Sequence, residues 1–123
     1  LMPMDVPDEG YRHIAGCVAL ESLVLMYCRE TTDRSTELMA ALPRLRKYFA
    51  SYNRITDRTP EILSAMNTLE EVTFDSCSGV TDRGVASLAR LPRLRRHRVA
   101  GMRGVTRSVV QAFGNDVSVR YAP

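Results

Sequence analysis

The sequence predicts an α/β solenoid, a right-handed coil with a short parallel sheet on its concave side and helices on its convex side. Three observations predict it. Leu20, Leu45, Leu69 and Leu94 each open a nine-residue segment that aligns with the others without gaps, at intervals of 25, 24 and 25 residues. Within each segment the apolar residues alternate with period two, which is the pattern of a strand. The second half of each unit carries apolar residues at helical spacing. A unit of one strand and one helix cannot bury its apolar side alone, whereas stacked units join their strands into a sheet over one continuous core.

The strands follow in order. Leu23 and Leu25, Tyr48 and Ala50, Val72 and Phe74, then His97 and Val99 are the inward positions of the first four. A fifth strand is expected over 117–121, with Asp116 beside Arg96, Ser118 beside Arg98 and Arg120 beside Ala100. The helices are announced by Thr31-Thr32-Asp33-Arg34, Ile55-Thr56-Asp57-Arg58 and Val80-Thr81-Asp82-Arg83, each starting 14 residues before the next leading leucine, and Val6-Pro7-Asp8-Glu9 matches them ahead of Leu20. Three, six, seven and nine residues after these aspartates come Tyr11, Ile14, Ala15, Cys17; Thr36, Met39, Ala40, Leu42; Pro60, Leu63, Ser64, Met66; and Val85, Leu88, Ala89, Leu91. The Thr-Asp pairs are expected to cap the free amides of the helix that follows. A shortened last helix is expected over 105–113, and Gly114-Asn115 turns the chain into the closing strand.

The period lies in the range of leucine-rich repeats, about 20 to 29 residues. The ninth position of each segment, held by Cys28, Asn53, Cys77 and Met102, is followed by the pattern Val80-Thr81-Asp82-Arg83-Gly84. Together they resemble the cysteine-containing class of leucine-rich repeats, which includes ribonuclease-inhibitor-like solenoids and the substrate-recognition domains of F-box proteins. The resemblance implies that the Cys or Asn side chain bonds backbone groups where the chain leaves the strand, and that Met102 interrupts this ladder. It implies a fold and not an activity. No F-box helical bundle lies in the chain, so no ubiquitin-ligase role is carried over. A second likeness, to the mitochondrial ATP synthase subunit s group, rests on 77–82 and 110–113 and implies no function.

Composition narrows the classes further. The chain has 123 residues, 45% hydrophobic and 25% charged, the balance of one globular domain. No run approaches the roughly 18 apolar residues of a membrane helix, so a soluble, cytoplasmic protein without membrane insertion is expected. Cys17, Cys28 and Cys77 have no metal-ligand spacing and are expected as reduced core residues, with no metal site and no cofactor. No nucleophile, phosphate-binding or zinc motif occurs, and two histidines are the whole stock of imidazole, so an enzyme is not expected. His97 falls on an inward position and is expected as a buried stand-in for leucine.

Function is therefore sought on the concave sheet, at the second, fourth and sixth residues after each leading leucine. The first row is Ser22, Lys47, Glu71 and Arg96; the second is Val24, Phe49, Thr73 and Arg98; the third is Met26, Ser51, Asp75 and Ala100. The first row alternates in sign, as does the position before it, Glu21, Arg46, Glu70 and Arg95. These are either register-setting ladders or a polar partner-binding strip. Val24, Met26 and Phe49, with Tyr27 and Tyr52 at the rim, form an apolar cluster that either contacts a partner or is covered by another domain. The expected partner-binding set is Val24, Met26, Lys47, Phe49, Glu71, Thr73, Asp75, Arg96, Arg98 and Arg120, with no catalytic residues.

The leading expectation is a protein-recognition module whose partner is another protein. The alternatives are a structural or dimerising segment that self-associates through its open amino-terminal edge, or binding of nucleic acid or an acidic ligand by the arginines between Arg90 and Arg107. Nucleic acid is disfavoured because no aromatic platform accompanies those arginines. Residues 1–123 are expected as a single domain of about four repeats plus a closing strand, the carboxy-terminal part of a longer protein.

Overall fold

The computed structural model describes residues 10–26 and 30–123. Five strands, β1 (Ser22–Met26), β2 (Lys47–Ser51), β3 (Glu71–Asp75), β4 (Arg96–Ala100) and β5 (Ser118–Ala122), form one parallel sheet in chain order. Neighbouring parallel strands need a crossover. Helices α2 (Asp33–Met39), α3 (Arg58–Leu63) and α4 (Asp82–Ser87) supply three of them, and a 3-10 helix (Arg107–Ala112) supplies the fourth; α1 (Tyr11–Ala15) precedes β1. The helices touch their neighbours in series, as the strands do.

The alternation in each strand sorts its side chains. Leu23, Leu25, Tyr48, Ala50, Val72, Phe74, His97 and Val99 are all buried beneath the helices, where Met39, Leu63, Val85 and Leu88 meet them. Leu45, Leu69 and Leu94 are buried as well, and Leu20 partly so. The helical stripe differs from expectation at its seventh position, since Ala40 and Ala89 are exposed and Ser64 is half-buried. The helices are too short to hold that position inward: Ala40 and Ser64 already cap α2 and α3 at their carboxy ends. Cys77 is buried, but Cys17 is exposed beyond α1 instead of lying in the core. Cys28 lies outside the described residues, as do Tyr27 and Asp8.

The aspartates of the Thr-Asp pairs do not cap their own helices; they reach sideways to the next unit. Asp33 accepts from the Thr56 amide (2.9 Å) and the Thr56 hydroxyl (2.5 Å), Asp57 from the same two groups of Thr81 (both 2.6 Å), and Asp82 from those of Thr106 (both 2.6 Å). Capping falls to the threonines Thr32 and Thr56, which accept from the amides of Arg34 and Arg58 at 3.3 Å. The ladder ends where Arg107 stands in place of aspartate, and the Arg107 guanidinium lies 5.1 Å over the Tyr121 ring. Gly84 belongs to this device, because a Cβ there would sit 2.2 Å from the Asp57 carboxylate. One unit earlier the same position is Thr59, whose hydroxyl instead donates to Asp33 at 2.7 Å.

A second ladder runs where the chain leaves the strands. The Asn53 amide donates to the Leu25 carbonyl at 3.3 Å, and the Cys77 thiol approaches the Ala50 carbonyl at 3.6 Å. Met102 does not simply interrupt this series. A thioether has no proton to donate, yet Met102 is buried and its sulfur accepts from the Cys77 amide at 3.1 Å. Tyr52, Ser76 and Gly101 turn the chain just after β2, β3 and β4 with positive φ of 55°, 57° and 62°. Their amides each donate to the last residue of the following strand, at 2.9–3.1 Å.

Candidate functional site

The helices cover one face of the sheet and leave the even-numbered positions of β1 and the odd-numbered positions of β2 and β3 on the other. Register sets who stands beside whom on this open face. The first row runs Ser22, Lys47, Glu71, Arg96, Ser118; the second Val24, Phe49, Thr73, Arg98, Arg120; the third Met26, Ser51, Asp75, Ala100, Ala122.

The last strand is two residues out of the expected register. Arg120 stands beside Arg98 and not Ala100, Ser118 beside Arg96 and not Arg98, and Asp116 lies before the strand. A shift of two keeps every side chain on its face, so the alternation of valines could not distinguish the two alignments. What distinguishes them is Tyr121, which partly packs on the core and whose hydroxyl lies 3.4 Å from the Val105 carbonyl, while Val117 is held in a turn by its bond to the Gly114 carbonyl. A second correction concerns Ser51 and Ala100, which are buried at 3% and 7% exposure. Both side chains are short and stand beside Asp75, and Ser51 also has Met26 on its other side.

The charged rows pair along part of their length. Arg46 is held between Glu21 (3.0 Å) and Glu70 (2.9 Å), and both guanidinium–carboxylate contacts to Glu70 are made by a two-pronged fork. The hydrogen bond from Arg46 is the main reason the Glu70 carboxyl lies below its usual range, with Arg95 and Arg93 adding to the field. In the first row Glu71 sits between Arg96 (3.1 Å) and Lys47 (4.0 Å). Exposed pairs of this kind contribute little stability and mainly set geometry.

The second row is different in kind. Val24 and Phe49 are half-buried neighbours at one end, Thr73 is in the middle, and Arg98 and Arg120 are exposed neighbours at the other. Neither the Arg98 nor the Arg120 side chain makes a hydrogen bond or ion pair among the described residues. A depression of about 390 Å³ opens there, lined by Glu71, Thr73, Arg96, His97, Arg98, Ser118 and Arg120. Three guanidiniums face one carboxylate in it, and that carboxylate is already paired with Arg96. Strand spacing of roughly 4.8 Å places Arg98 and Arg120 side by side, a mildly unfavourable arrangement of like charges that a shared anion would relieve.

Five of the expected contact residues, Glu71, Thr73, Arg96, Arg98 and Arg120, are thus brought to one depression. Val24 and Phe49 continue its second row, and Lys47 its first. Met26 and Asp75 lie apart on the third row, where Asp75 accepts from the Ser76 hydroxyl at 2.8 Å. Ser118 joins the site unexpectedly, because only the observed register sets it beside Arg96.

The arginines between Arg90 and Arg107 do not form one patch. Arg96 and Arg98 face the depression, Arg93 and Arg95 line a rim with Glu70 and Asp116, and Arg90 lies with Glu61 and Arg83 among the helices. His97 is turned inward at 1% exposure, with Nδ1 2.8 Å from the Val72 carbonyl. Burial raises the Cys77 thiol above its usual range, so it is held as a neutral thiol. Among the described residues no three His, Cys, Asp or Glu side chains lie close enough to hold a metal ion. No helix among them is long and apolar enough to cross a membrane. Comparison of the sequence with protein-family models and with curated proteins gives no match.

Proposed function

We propose that the chain is a leucine-rich-repeat module that recognises a partner protein through the open, concave face of its sheet and acts by binding, not catalysis. The observation that carries this reading is the second row, where half-buried Val24 and Phe49 lead across Thr73 to Arg98 and Arg120, whose side chains have no ion pair among the described residues. Aromatic and arginine side chains are enriched in protein interfaces relative to the rest of the surface. The 24- and 25-residue period, the serial contacts of strands and helices, and the Asn53 and Cys77 bonds to the preceding strand support the repeat assignment. The inward-facing His97 and the buried Cys77 fit a surface without a nucleophile or base. Unpaired thiols at Cys17 and Cys77 fit the reducing cytoplasm.

The test is affinity capture from a lysate of the encoding organism, comparing wild type with a Phe49→Ala/Arg98→Glu double variant whose unfolding midpoint is measured alongside. A protein retained by wild type and lost by the folded variant is the expected result. Identical retention would remove this face from consideration and turn attention to β1 and β5, the outer strands of the sheet among the described residues.

A further inference from the structure

Resting on that reading, we infer that the occupant of the open face is an extended, acidic segment of the partner, carrying an apolar side chain and an Asp or Glu four residues apart. The row supplies both ends of this requirement. Val24 and Phe49 are half-buried neighbours that offer apolar contact, and Arg98 and Arg120 are neighbours in register whose side chains have no carboxylate partner among the described residues. From the gap between the first pair to the gap between the second is three strands, roughly 14 Å at 4.8 Å per strand. An extended chain covers that span in about four residues at about 3.3 Å each, and the even number returns both side chains to the same side. A segment lying across the strands therefore sets its apolar side chain on Phe49 and its carboxylate between the two arginines.

The charges around the row favour a carboxylate segment over a nucleic acid. Glu71 lies between Arg96 and Lys47 and offsets one of their two charges, so the excess positive charge on this face is a short cluster that includes Arg98 and Arg120. A phosphate backbone needs a continuous basic track. Here Arg93 and Arg95 share their rim with Glu70 and Asp116, and Arg90 lies with Glu61 among the helices. Two adjacent guanidinium forks suit one carboxylate, which accepts from both at its two oxygens. The Thr73 and Ser118 hydroxyls beside them can bond the backbone of the same segment.

The experiment is an amide chemical-shift titration of the full chain with three synthetic decapeptides of Gly and Ser. The first carries Leu and Glu four apart, the second replaces that Glu by Gln, and the third sets Leu and Glu three apart. The expected result is that the first shifts Val24, Phe49, Thr73, Arg98 and Arg120 and binds about tenfold more tightly than the other two, a ratio typical of a charge-assisted fork. An Arg98→Gln/Arg120→Gln variant with an unchanged unfolding midpoint erases that ratio. Equal affinity for the Glu and Gln peptides, with shifts still on Val24 and Phe49, overturns the acidic occupant and leaves the concave-face reading standing. Absence of shifts on this row with any peptide overturns both. Tighter binding of a random DNA duplex to the same five residues overturns the inference in favour of nucleic acid.

Discussion

Acidification should weaken this protein through a single imidazole. His97 takes a strand position that the neighbouring strand fills with Val72, it is 1% exposed, and its ring lies against Phe74 and Phe113 at centroid distances of 6.0 and 5.3 Å. Its Nδ1 bonds the Val72 carbonyl, while Nε2 is buried with no partner. Burial among rings penalises the imidazolium and pushes the pKa down to about 4, although the Val72 carbonyl opposes the shift. An unfolded chain protonates this histidine near pH 6.5. Stability from keeping it neutral is therefore fully present above about pH 6.5 and is lost as the pH falls from there toward 4. One-site linkage gives a loss of about 2 kcal/mol between pH 7 and pH 5. The assay is urea unfolding of wild type and His97→Leu at pH 7, 6 and 5. Carboxylates titrate alike in both proteins, so the stability difference between them isolates the imidazole. Wild type should lose about 2 kcal/mol relative to the variant over that range. Parallel curves for the two proteins would refute the reasoning and show that the pocket accommodates the charge.

Two further outcomes follow from the polar devices within the fold. Asp33 accepts three hydrogen bonds from Thr56 and Thr59; Asp33→Ala should cost about 3 kcal/mol, and Asp33→Asn about 1, because an amide preserves the bond to the Thr56 amide and can donate to its hydroxyl. Equal losses in thermal unfolding would show that the charge, and not the shape, holds the two units together. The Tyr48 hydroxyl is fully buried near Thr36 without a bond of good geometry, and burial holds the phenol protonated. Tyr48→Phe should leave stability unchanged or raise it by up to about 1 kcal/mol, and a loss larger than that in urea unfolding would show that the hydroxyl is bonded to Thr36.

The division between what was legible in the sequence and what was not follows the range of each interaction. The leading leucines, the inward residues of four strands and the inward His97 are readable because each depends on a local period, and the period-two rule assigns a face without knowledge of neighbours. The role of the Thr-Asp pairs was only half legible. A cap and an inter-unit clamp use the same residue types, and only the packing of adjacent units decides which donors the carboxylate meets. The burial of Ser51 and Ala100 depends likewise on side-chain heights across three strands.

The candidate site divides in the same way. That Phe49, Thr73 and Arg98 share an open row follows from the sequence, since their segments align without gaps. That Arg120 completes the row does not. The sequence by itself determines a parallel strand-and-helix repeat, its inward and outward faces, and the alternating charges along them, because periodicity is a one-dimensional property. Only the tertiary structure decides the register of β5, and with it the Arg98–Arg120 pair, because a slip of two residues leaves the pattern intact and is settled by contacts of Tyr121 and Val117 with parts of the chain that the pattern does not relate to them.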